Sequence, residues 1–415
     1  MIIRNVYFII LGLLVSASAF ADSLFVKYDP SAAGHENINV YIGKRGPYHL
    51  CAQNKSKDCK GRNAYLAINP YRDREITLPQ YNLTLKTSVG LFRRGGCNYV
   101  VTVGRDFSVI DVNNYGQVSC SYHYSRHQDT KIQVFKNVHM NYSQRNFSTQ
   151  VNFPPSQESF SKVTFNFHLR CPSGGCDPWD RWGTVYIIDD NGQKNELFRF
   201  ITPYGVGVDL SEDVTDLRPL LTGKKTLQLF IDTWVGSGWL VSADVTFKPG
   251  TPQKKVLKVI PVFTPQAFYY GQDYPPQFLS KEVTIPAGVK SAVLRTYLAG
   301  HGQGNTQNCA EFCNKKQTIT IDSTTYPEKS IWRDNCSATK TIGRQRGNYT
   351  PSRAGWCPGD KVYPWLTNIS SLSPEKHTIT WRPQAYTNYR NKGYNNGSHT
   401  APFYQISSLL VLYGS

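Results

Sequence analysis

Alternation of apolar and polar residues is the feature that most constrains how this chain can fold. The alternation has a period of two and recurs throughout, for example in residues 163–169, 227–231, 241–247 and 377–381. Such a period is typical of strands with one buried face, whereas the longer period of an amphipathic helix is absent from the sequence. Frequent turn residues, 32 glycines and 24 prolines, separate these short segments. The sequence therefore predicts an all-β fold of antiparallel sandwiches or jelly rolls.

The length of the chain and two breaks in its pattern predict three folded domains. At 415 residues the chain exceeds what one hydrophobic core usually serves. A polar stretch at 125–131 and a Pro- and Gly-containing stretch at 248–255 are candidate linkers. We therefore predict a β-rich N-terminal domain at 22–130 and two further β domains at 131–252 and 253–415.

The N-terminus predicts an exported protein. Arg4 precedes a short apolar run at 6–15, and the small-residue site around Ala21 follows it. This order is typical of a secretory signal peptide, here residues 1–21. An uncleaved membrane anchor is the alternative, but the apolar run is shorter than the roughly 20 residues that a spanning helix needs. We expect a secreted or periplasmic protein without stable membrane insertion.

Cysteine usage agrees with export. All ten cysteines follow the predicted signal peptide: Cys51, Cys59, Cys97, Cys120, Cys171, Cys176, Cys309, Cys313, Cys336 and Cys357. An even number of cysteines in an exported chain favours disulfides over free thiols. Zinc binding is the weaker interpretation, because the sequence contains neither a CxxC pair nor an HExxH motif.

Basic residues exceed acidic ones by 46 to 29, which gives a net charge of +17. Such an excess can attract nucleic acid, anionic lipid or acidic glycans. The basic residues never run beyond adjacent pairs such as Arg93 and Arg94. A dispersed, solvated basic surface is therefore the favoured interpretation, and no nucleic-acid partner is expected.

Three short segments set charged and aromatic side chains beside cysteines: residues 171–181, 309–313 and 352–359. A disulfide in each would hold these side chains rigidly in an irregular loop. Taken singly, the charged residues also have ordinary interpretations, with Asp180 as a turn residue, Glu311 as a solvated loop charge and Arg353 as a structural ion-pair partner. The tryptophans are likewise more typical of a core than of a sugar platform; those considered are Trp179, Trp182, Trp234 and Trp356.

In their order along the chain, these motifs resemble those of the bacterial peptide-N-glycosidase F family, secreted amidases built from two adjacent jelly rolls. The resemblance covers about two thirds of the chain and is carried by residues 171–181, 199–204, 213–216, 232–234, 250–252, 309–313, 353–359 and 403–408. It implies an all-β fold of two adjacent antiparallel eight-stranded jelly-roll β-sandwiches. The N-terminal domain, β-rich and containing disulfides, is an addition to this core, and its role is not implied.

The resemblance also assigns site residues. It places the catalytic acidic positions of the family on Asp180, Glu311 and Asp232. Positions that bind substrate fall on Arg181, Trp234, His301, Arg353 and Trp356. Disulfides are implied between Cys171 and Cys176, Cys309 and Cys313, and Cys336 and Cys357; in the N-terminal domain the remaining cysteines would pair as Cys51 with Cys59 and Cys97 with Cys120.

The activity implied is hydrolysis of the amide bond between asparagine and the first N-acetylglucosamine of an N-linked glycan, giving a 1-amino glycan and aspartate. Asp180 would act ionised as base, and Glu311 would assist through water or donate a proton. Arg181 and Arg353 would orient polar groups. Apolar ring faces of tryptophans, Trp234 and Trp356, would contact sugars. The expected substrates are N-glycosylated proteins and glycopeptides, with no metal or organic cofactor and a monomeric enzyme.

Two positions depart from the family pattern. Asp232 stands where glutamate is common, and Gly205 stands where a family member has tryptophan. We expect these departures to alter pH dependence or glycan preference rather than to abolish activity. Two rival functions remain: a non-catalytic glycan-binding protein or adhesin on the same scaffold, and a glycosidase that would leave asparagine intact.

Overall fold

The computed structural model describes the C-terminal two thirds of the chain with side chains and the N-terminal part as strands alone. Side chains are described within residues 129–414, except at 157, 190, 272–276, 341 and 388–399. The predicted signal peptide at 1–21 lies outside the described residues, as do four cysteines: Cys51, Cys59, Cys97 and Cys120. Within the described residues, no helix is long and apolar enough to cross a membrane.

The chain divides into two compact units between Gln128 and Asp129. The described strands of the first unit are β1 (Ser23–Tyr28), β2 (Ile38–Ile42), β3 (Arg45–Leu50), β4 (Tyr65–Ile68), β5 (Glu75–Leu78), β6 (Leu83–Thr87), β7 (Asn98–Val103), β8 (Asp111–Tyr115) and β9 (Tyr122–Arg126). They form one sheet in the order β4-β1-β7-β8 and another in the order β3-β2-β5-β6-β9. The pairing of β1 with β7 is parallel. This unit is β-rich, as its alternating residues predict.

The second unit begins with an eight-stranded jelly roll. Its strands are β10 (Thr130–Met140), β11 (Asn146–Phe153), β12 (Phe160–Arg170), β13 (Trp182–Ile188), β14 (Lys194–Ile201), β15 (Val208–Asp213), β16 (Gly223–Ile231) and β17 (Trp239–Pro249), with a 3-10 helix at Thr215–Leu220. One sheet has the order β10-β17-β12-β15 and the other β11-β16-β13-β14. Strands that follow one another mostly lie in opposite sheets, and the first pairs with the last, which is jelly-roll topology.

A second jelly roll follows. Its strands are β18 (Val256–Tyr269), β19 (Leu279–Thr284), β20 (Ser291–His301), β21 (Lys316–Ile321), β22 (Thr324–Thr325), β23 (Lys329–Ser330), β24 (Trp332–Arg333), β25 (Arg353–Ala354), β26 (Trp365–Ile369), β27 (Lys376–Pro383) and β28 (Phe403–Tyr413), with 3-10 helices at Thr306–Asn308 and Cys336–Thr341. The sheets β18-β28-β20-β26 and β19-β27-β21-β22 repeat the order of the first roll. The predicted fold class is confirmed.

Period-two alternation in the sequence becomes the burial pattern of the strands. In β12 the side chains of Val163, Phe165, Phe167 and Leu169 are all fully buried, while the intervening residues are only partly buried. Phe167 packs on Phe200 of the facing sheet, with ring centroids 4.3 Å apart. Each such aromatic side chain buries a large apolar area. The two facing sheets of the first roll therefore share one hydrophobic core.

Strand β14 joins the two rolls. It is the edge strand of its sheet, and the second roll covers that edge. The backbone N–H of Val362 donates to Arg199 O at 2.9 Å, and that of Ile201 donates to Asp360 O at 3.0 Å. An uncovered edge would leave these backbone groups unpaired. The edge is thus used to dock one roll on the other.

A buried ion pair lies at this junction. Arg199 donates from Nε and Nη2 to the carboxylate of Glu196 at 2.7 and 2.6 Å, and both side chains are about 1% exposed or less. From β28, Ser407 donates its hydroxyl to Glu196, and the carbonyl oxygen of Gln405 accepts from Arg199 Nη1 at 2.6 Å. Two desolvated charges are tolerated only when such partners satisfy them. The partners come from both rolls.

A second buried pair follows the same rule. Arg295 on β20 lies 2.6 Å from the carboxylate of Glu212 on β15, and Lys361 donates to the same carboxylate at 2.8 Å. Burial of Glu212 without these cations would leave an uncompensated charge. Both ion pairs therefore specify one docking of the rolls.

Replacing Arg199 by methionine tests this dependence. The variant would leave the Glu196 carboxylate buried without its cation, and we expect it to lower the free energy of unfolding by about 3–5 kcal/mol. Lys376→Met is the control, because Lys376 pairs with Glu282 at a position where both side chains are mostly exposed, 68% and 57%, and we expect its denaturation midpoint to stay near that of the wild type. Chemical denaturation measures both, and equal midpoints would contradict a structural role for the junction pair.

Candidate active site

The loop between β12 and β13 carries Asp180 and is fixed near both ends. A disulfide joins Cys171 to Cys176 near its start. Near its end, the backbone N–H of Arg181 donates to the hydroxyl of Thr202 at 2.8 Å, and the carbonyl of Arg181 accepts from the N–H of Thr202 at 2.8 Å. These cross-links hold Asp180 in place although the loop has no regular structure.

Asp177 is the buried centre of this loop. Its carboxylate is fully buried and accepts from Arg181 Nε at 2.8 Å, from the hydroxyl of Thr233 at 2.7 Å and from the N–H of Trp179 at 3.0 Å. Charge-assisted hydrogen bonds of this kind stabilise a loop strongly. The guanidinium of Arg181, which was expected to bind substrate, thus stabilises the loop through its hydrogen bond to Asp177. Our sequence reasoning missed Asp177, although it directly follows a disulfide cysteine.

Asp180 lies in a mostly buried environment and accepts a hydrogen bond from the hydroxyl of Tyr204. Burial raises the pKa of Asp180 above 3.8. Four weaker effects lower this pKa: the hydrogen bond from Tyr204, the charge of Arg353, the backbone N–H of Asp180 itself and the charge of Arg181. The two largest opposing effects favour the ionised form. Asp180 is therefore a carboxyl group whose pKa is raised by burial and lowered by the polar and charged groups around it.

Tyr204 is a site residue that sequence reasoning did not single out. It follows β14, and its backbone is held by the second roll: its N–H donates to Gln345 Oε1 at 3.1 Å and its carbonyl accepts from the N–H of Arg346 at 3.1 Å. Gly347, with φ +94°, lies so close that a Cβ there would be 2.6 Å from the Tyr204 ring. Burial, followed by the charge of Asp180, raises the pKa of Tyr204. Its hydroxyl therefore stays protonated and remains a donor.

Glu311 lies in the tight loop closed by the disulfide between Cys309 and Cys313. Its side chain is only 16% exposed, so the interpretation as a solvated loop charge is wrong. The N–H of Gly302 donates to Glu311 Oε2 at 3.3 Å. Burial, followed by the charge of Asp180, raises the pKa of Glu311 to about 8, against the opposing effect of Arg353. Glu311 is therefore mostly protonated at neutral pH.

Arg353 is the cation that faces both carboxyl groups. It is 2% exposed, and its Nε lies 3.6 Å from Glu311 Oε1, an ion-pair distance that is too long for a hydrogen bond. Nη2 and Nη1 instead donate to the carbonyls of Asn348 and Pro351 at 2.6 and 2.7 Å. Its charge lowers the pKa of Asp180 as well as that of Glu311. One fixed cation thus acts on two carboxyl groups.

Trp356, which is predicted to contact substrate, is buried. Trp356 is 3% exposed, and its Nε1 donates to Gly300 O at 2.8 Å. The Arg353 guanidinium lies 4.8 Å from its ring centroid and the His301 ring 5.4 Å away. Other side chains surround the indole, and the substrate contact expected of Trp356 stays a prediction.

His301 lies between aromatic rings rather than in an open cleft. It stacks on Trp356 and, at 5.2 Å, on Phe403. Burial, together with the charge of Arg199, lowers the pKa of His301 to about 3. A neutral imidazole can stack in this way, and the substrate contact expected of His301 stays a prediction.

Two tryptophans of the first roll are exposed, which corrects their interpretation as core residues. Trp179 is 57% exposed and Trp234 is 55% exposed. The guanidinium of Arg145 lies 4.1 Å from the Trp234 ring centroid, and Arg145 also lies 3.4 Å from the carboxylate of Asp232. The structure therefore groups Asp232 with Arg145 and Trp234, whereas Asp180 is grouped with Tyr204.

The third disulfide joins Cys336 to Cys357, so the described cysteines pair as the resemblance implies. In residues 129–414, apart from the gaps given above, no three His, Cys, Asp or Glu side chains are grouped so as to hold a metal ion. The chemistry available to the described site rests on two carboxyl groups, a tyrosine hydroxyl and a guanidinium. Carboxyl groups whose environments differ can act as a base and an acid.

The fold and the site together define a protein of two docked jelly rolls with a buried carboxyl pair. Comparison with known proteins identifies which family this is. The family models for peptide-N-glycosidase F match residues 189–247 with their N-terminal part and 270–411 with their C-terminal part. The peptide-N(4)-(N-acetyl-beta-D-glucosaminyl)asparagine amidase F of Elizabethkingia miricola is 31% identical over 276 residues, which are 62% of this chain and 76% of that protein.

Solved structures agree with this match. PNGase F, a glycosylasparaginase from Flavobacterium meningosepticum, has a TM-score of 0.61 and 29% identity, covering 69% of this chain and 96% of its own. PNGF-II, at 17% identity and a TM-score of 0.58, covers 92% of this chain and 84% of its own, and shows a shared fold. The chain belongs to the peptide-N-glycosidase F family, which confirms the resemblance found in the sequence.

Glu311→Gln tests the protonation of the site without any substrate. Because the folded-state pKa of about 8 lies above the ordinary 4.5, the folded protein binds the extra proton, and its stability falls as pH rises between these values. The slope is at most about 1.4 kcal/mol per pH unit, and the neutral amide removes it. We therefore expect the free energy of unfolding of Glu311→Gln to rise relative to wild type as pH increases through this window.

Chemical denaturation at several pH values measures this difference. Glu328→Gln is the matched control, because the side chain of Glu328 is 54% exposed in its ion pair with Lys316. A constant offset between Glu311→Gln and wild type across the pH range would mean that Glu311 titrates normally.

Proposed function

We propose that this chain is an amidase that hydrolyses the bond between an N-linked glycan and asparagine. Family membership supports this activity. The single observation that carries the proposal is that one buried cation, Arg353, lies 3.6 Å from Glu311 and also acts on Asp180. Burial and the charge of Asp180 raise the pKa of Glu311 to about 8. Two carboxyl groups that repel each other's charge retain one proton over a wide pH range. Such a pair offers one base and one acid at neutral pH.

In the proposed reaction, ionised Asp180 removes a proton from a water molecule that attacks the carbonyl carbon of the glycosylated asparagine. The oxygen of that water forms the new C–O bond, and the bond between the carbonyl carbon and the amide nitrogen breaks, so the nitrogen stays attached to the sugar. Protonated Glu311 donates its proton to the departing nitrogen. The products are a peptide with aspartate in place of asparagine and a 1-amino glycan.

The remaining site residues position these groups. Arg353 lies beside Glu311 and lowers the pKa of Asp180, so it favours the ionised form that the base needs. The Tyr204 hydroxyl donates to Asp180 and fixes the orientation of its carboxylate. Buried donors that are held in place before the reaction stabilise developing charge more than mobile ones do. Tyr204 is therefore a positioning residue of the proposed mechanism.

The proposed substrates are N-glycosylated proteins and glycopeptides. Exposed indole rings, those of Trp179 and Trp234, are the aromatic surfaces of the first roll that suit contact with sugar rings. Asp232 would act beside them through Arg145 rather than directly on the amide. Gly205 leaves open space, since the nearest atom to a Cβ there, Pro178 Cα, is 3.8 Å away; we propose that this space affects which glycans fit.

We also propose that the enzyme works outside the cytoplasm. The structure contains three disulfides within its described residues, and disulfides persist in oxidising compartments such as the periplasm or the exterior. Two of them close the loops that hold the proposed catalytic residues Asp180 and Glu311. Reduction of these bonds would therefore loosen the site itself.

The activity is tested on a purified glycopeptide in heavy-oxygen water, with mass spectrometry of the peptide. We expect wild-type protein to release the glycan and leave aspartate carrying one heavy oxygen, and Asp180→Asn to lower the rate at least about 100-fold because general base catalysis is lost. Asp209→Asn is the control, since its side chain is 60% exposed and pairs with Arg170, and its rate should equal that of the wild type.

Other products would identify the rival functions. A reducing sugar with asparagine intact would make the chain a glycosidase. Binding of the glycopeptide without cleavage at any pH would make it a glycan-binding protein.

Tyr204→Phe tests the positioning role through a pH profile of kcat/KM. The Tyr204 hydrogen bond lowers the pKa of Asp180, so its loss should move the acid limb of the profile to higher pH. The alkaline limb, assigned to Glu311 with its pKa of about 8, should remain. Tyr142→Phe is the matched control, because Tyr142 is 60% exposed and lies outside this group. A uniform loss of rate without movement of the acid limb would contradict the role.

A further inference from the structure

A second concave site lies in the second roll. It is a cavity of about 340 Å³ whose lining includes Lys329, Ser330, Trp332, Arg333, Asn335 and Tyr363. The side chains of the proposed catalytic group do not line it. Trp332 and Arg333 of β24, which line it, pair with Ala354 and Arg353 of β25. We call this cavity the β24 pocket.

The aromatic wall of the β24 pocket is partly exposed. Tyr363 is 54% exposed although it is a large, mostly apolar side chain. The Arg333 guanidinium lies 4.9 Å from its ring centroid, and Lys361 Nζ lies 5.1 Å from it. These cations stabilise the orientation of the ring. Tyr363 therefore presents a fixed aromatic surface at the pocket.

The charges at the β24 pocket are predominantly positive. Both charged residues of its lining, Lys329 and Arg333, are cations. Arg333 is held by Asp360 at 2.9 Å and by Asn335 Oδ1 at 2.9 Å, while its buried Nη1 has no hydrogen-bond partner among the described residues. Lys361 adds a third cation at the Tyr363 ring. Two carboxylates face these cations, since Asp360 pairs with Arg333 and Glu212 pairs with Lys361, and the cations therefore exceed the carboxylates by one.

We propose that the β24 pocket binds a sugar residue that bears a carboxylate. An aromatic surface suits the C–H face of a sugar ring, and fixed cations beside it suit an anionic group. Polar groups such as those of Ser330 and Asn335 can pair with sugar hydroxyls. The cavity volume is at the lower end of the roughly 300–1,000 Å³ that small-molecule sites occupy, so one or two sugar rings fit better than a branched glycan.

This site is additional to the proposed amidase activity and does not depend on it. A carboxylate-bearing sugar could belong to a sialylated glycan or to a uronic-acid polysaccharide, and the chemistry of recognition is the same. Binding there would hold an acidic glycan on the enzyme while the carboxyl pair, which does not line the pocket, remains available.

Titration of the full chain with methyl sialoside and methyl glucuronide tests the proposal, each beside its uncharged methyl ester. We expect at least one acid to bind with a millimolar Kd, at least about fivefold more tightly than its ester, and to weaken as salt concentration rises. Comparing the two acids identifies the source of the sugar. Equal binding of acid and ester, or no binding of either acid at about 50 mM, would overturn the proposal.

Variants locate the binding site. Tyr363→Ala and Lys329→Gln alter exposed side chains of the β24 pocket and should each weaken the acid at least about fivefold. Trp234→Ala and Asp180→Asn alter the proposed amidase site and should leave this affinity unchanged. The opposite pattern, with loss in Trp234→Ala and full affinity in Tyr363→Ala, would place the sugar in the amidase site. Glycopeptide hydrolysis by the two pocket variants is a separate readout, so failure of the pocket proposal leaves the amidase proposal independently testable.

Discussion

The ion pair between Glu196 and Arg199 is the interaction on which the arrangement of the two rolls depends. Its carboxylate accepts four hydrogen bonds, two from Arg199 and one each from Thr184 and Ser407. Two buried charges are costly unless their partners are in place, and Ser407 belongs to the other roll. Only a docking that brings β28 onto β14 satisfies the pair. Because the proposed site draws side chains from both rolls, this docking decides whether the site exists.

Docking also explains the unequal protonation of the carboxyl pair. The first roll contributes Asp180 and the second contributes Glu311. The negative charge of one carboxylate disfavours ionisation of the other, and the charge of Asp180 raises the pKa of Glu311. A single fixed cation, Arg353, cannot compensate two buried carboxylates. Tyr204, anchored between the rolls, donates to Asp180 alone. The hydrogen bond therefore favours ionisation at Asp180, while Glu311 retains the proton.

Much of the fold follows from local pattern, because period-two alternation predicts each strand from its own residues. The residues proposed for the site, Asp180, Glu311 and Arg353, were singled out from the sequence, since each lies in a short motif that contains a cysteine. Tyr204 was missed because its significance depends on residues such as Gln345, which is 141 positions away. Trp356 was assigned to the substrate surface because a motif match gives position along the chain but not burial. Contacts between two docked rolls join residues that are far apart in the sequence, so no local sequence pattern predicts them.

The two rolls contribute different chemistry to the proposed site. Exposed aromatic surface comes from the first roll, at Trp179 and Trp234, whereas the fixed cation and the protonated carboxyl come from the second, at Arg353 and Glu311. A glycosylated asparagine likewise has a sugar part and a polar amide part. Binding such a substrate would therefore use both rolls at once, and neither roll alone carries both the base and the acid. This division gives a physical reason for two jelly rolls of the same topology to dock through buried charges rather than through an apolar surface alone.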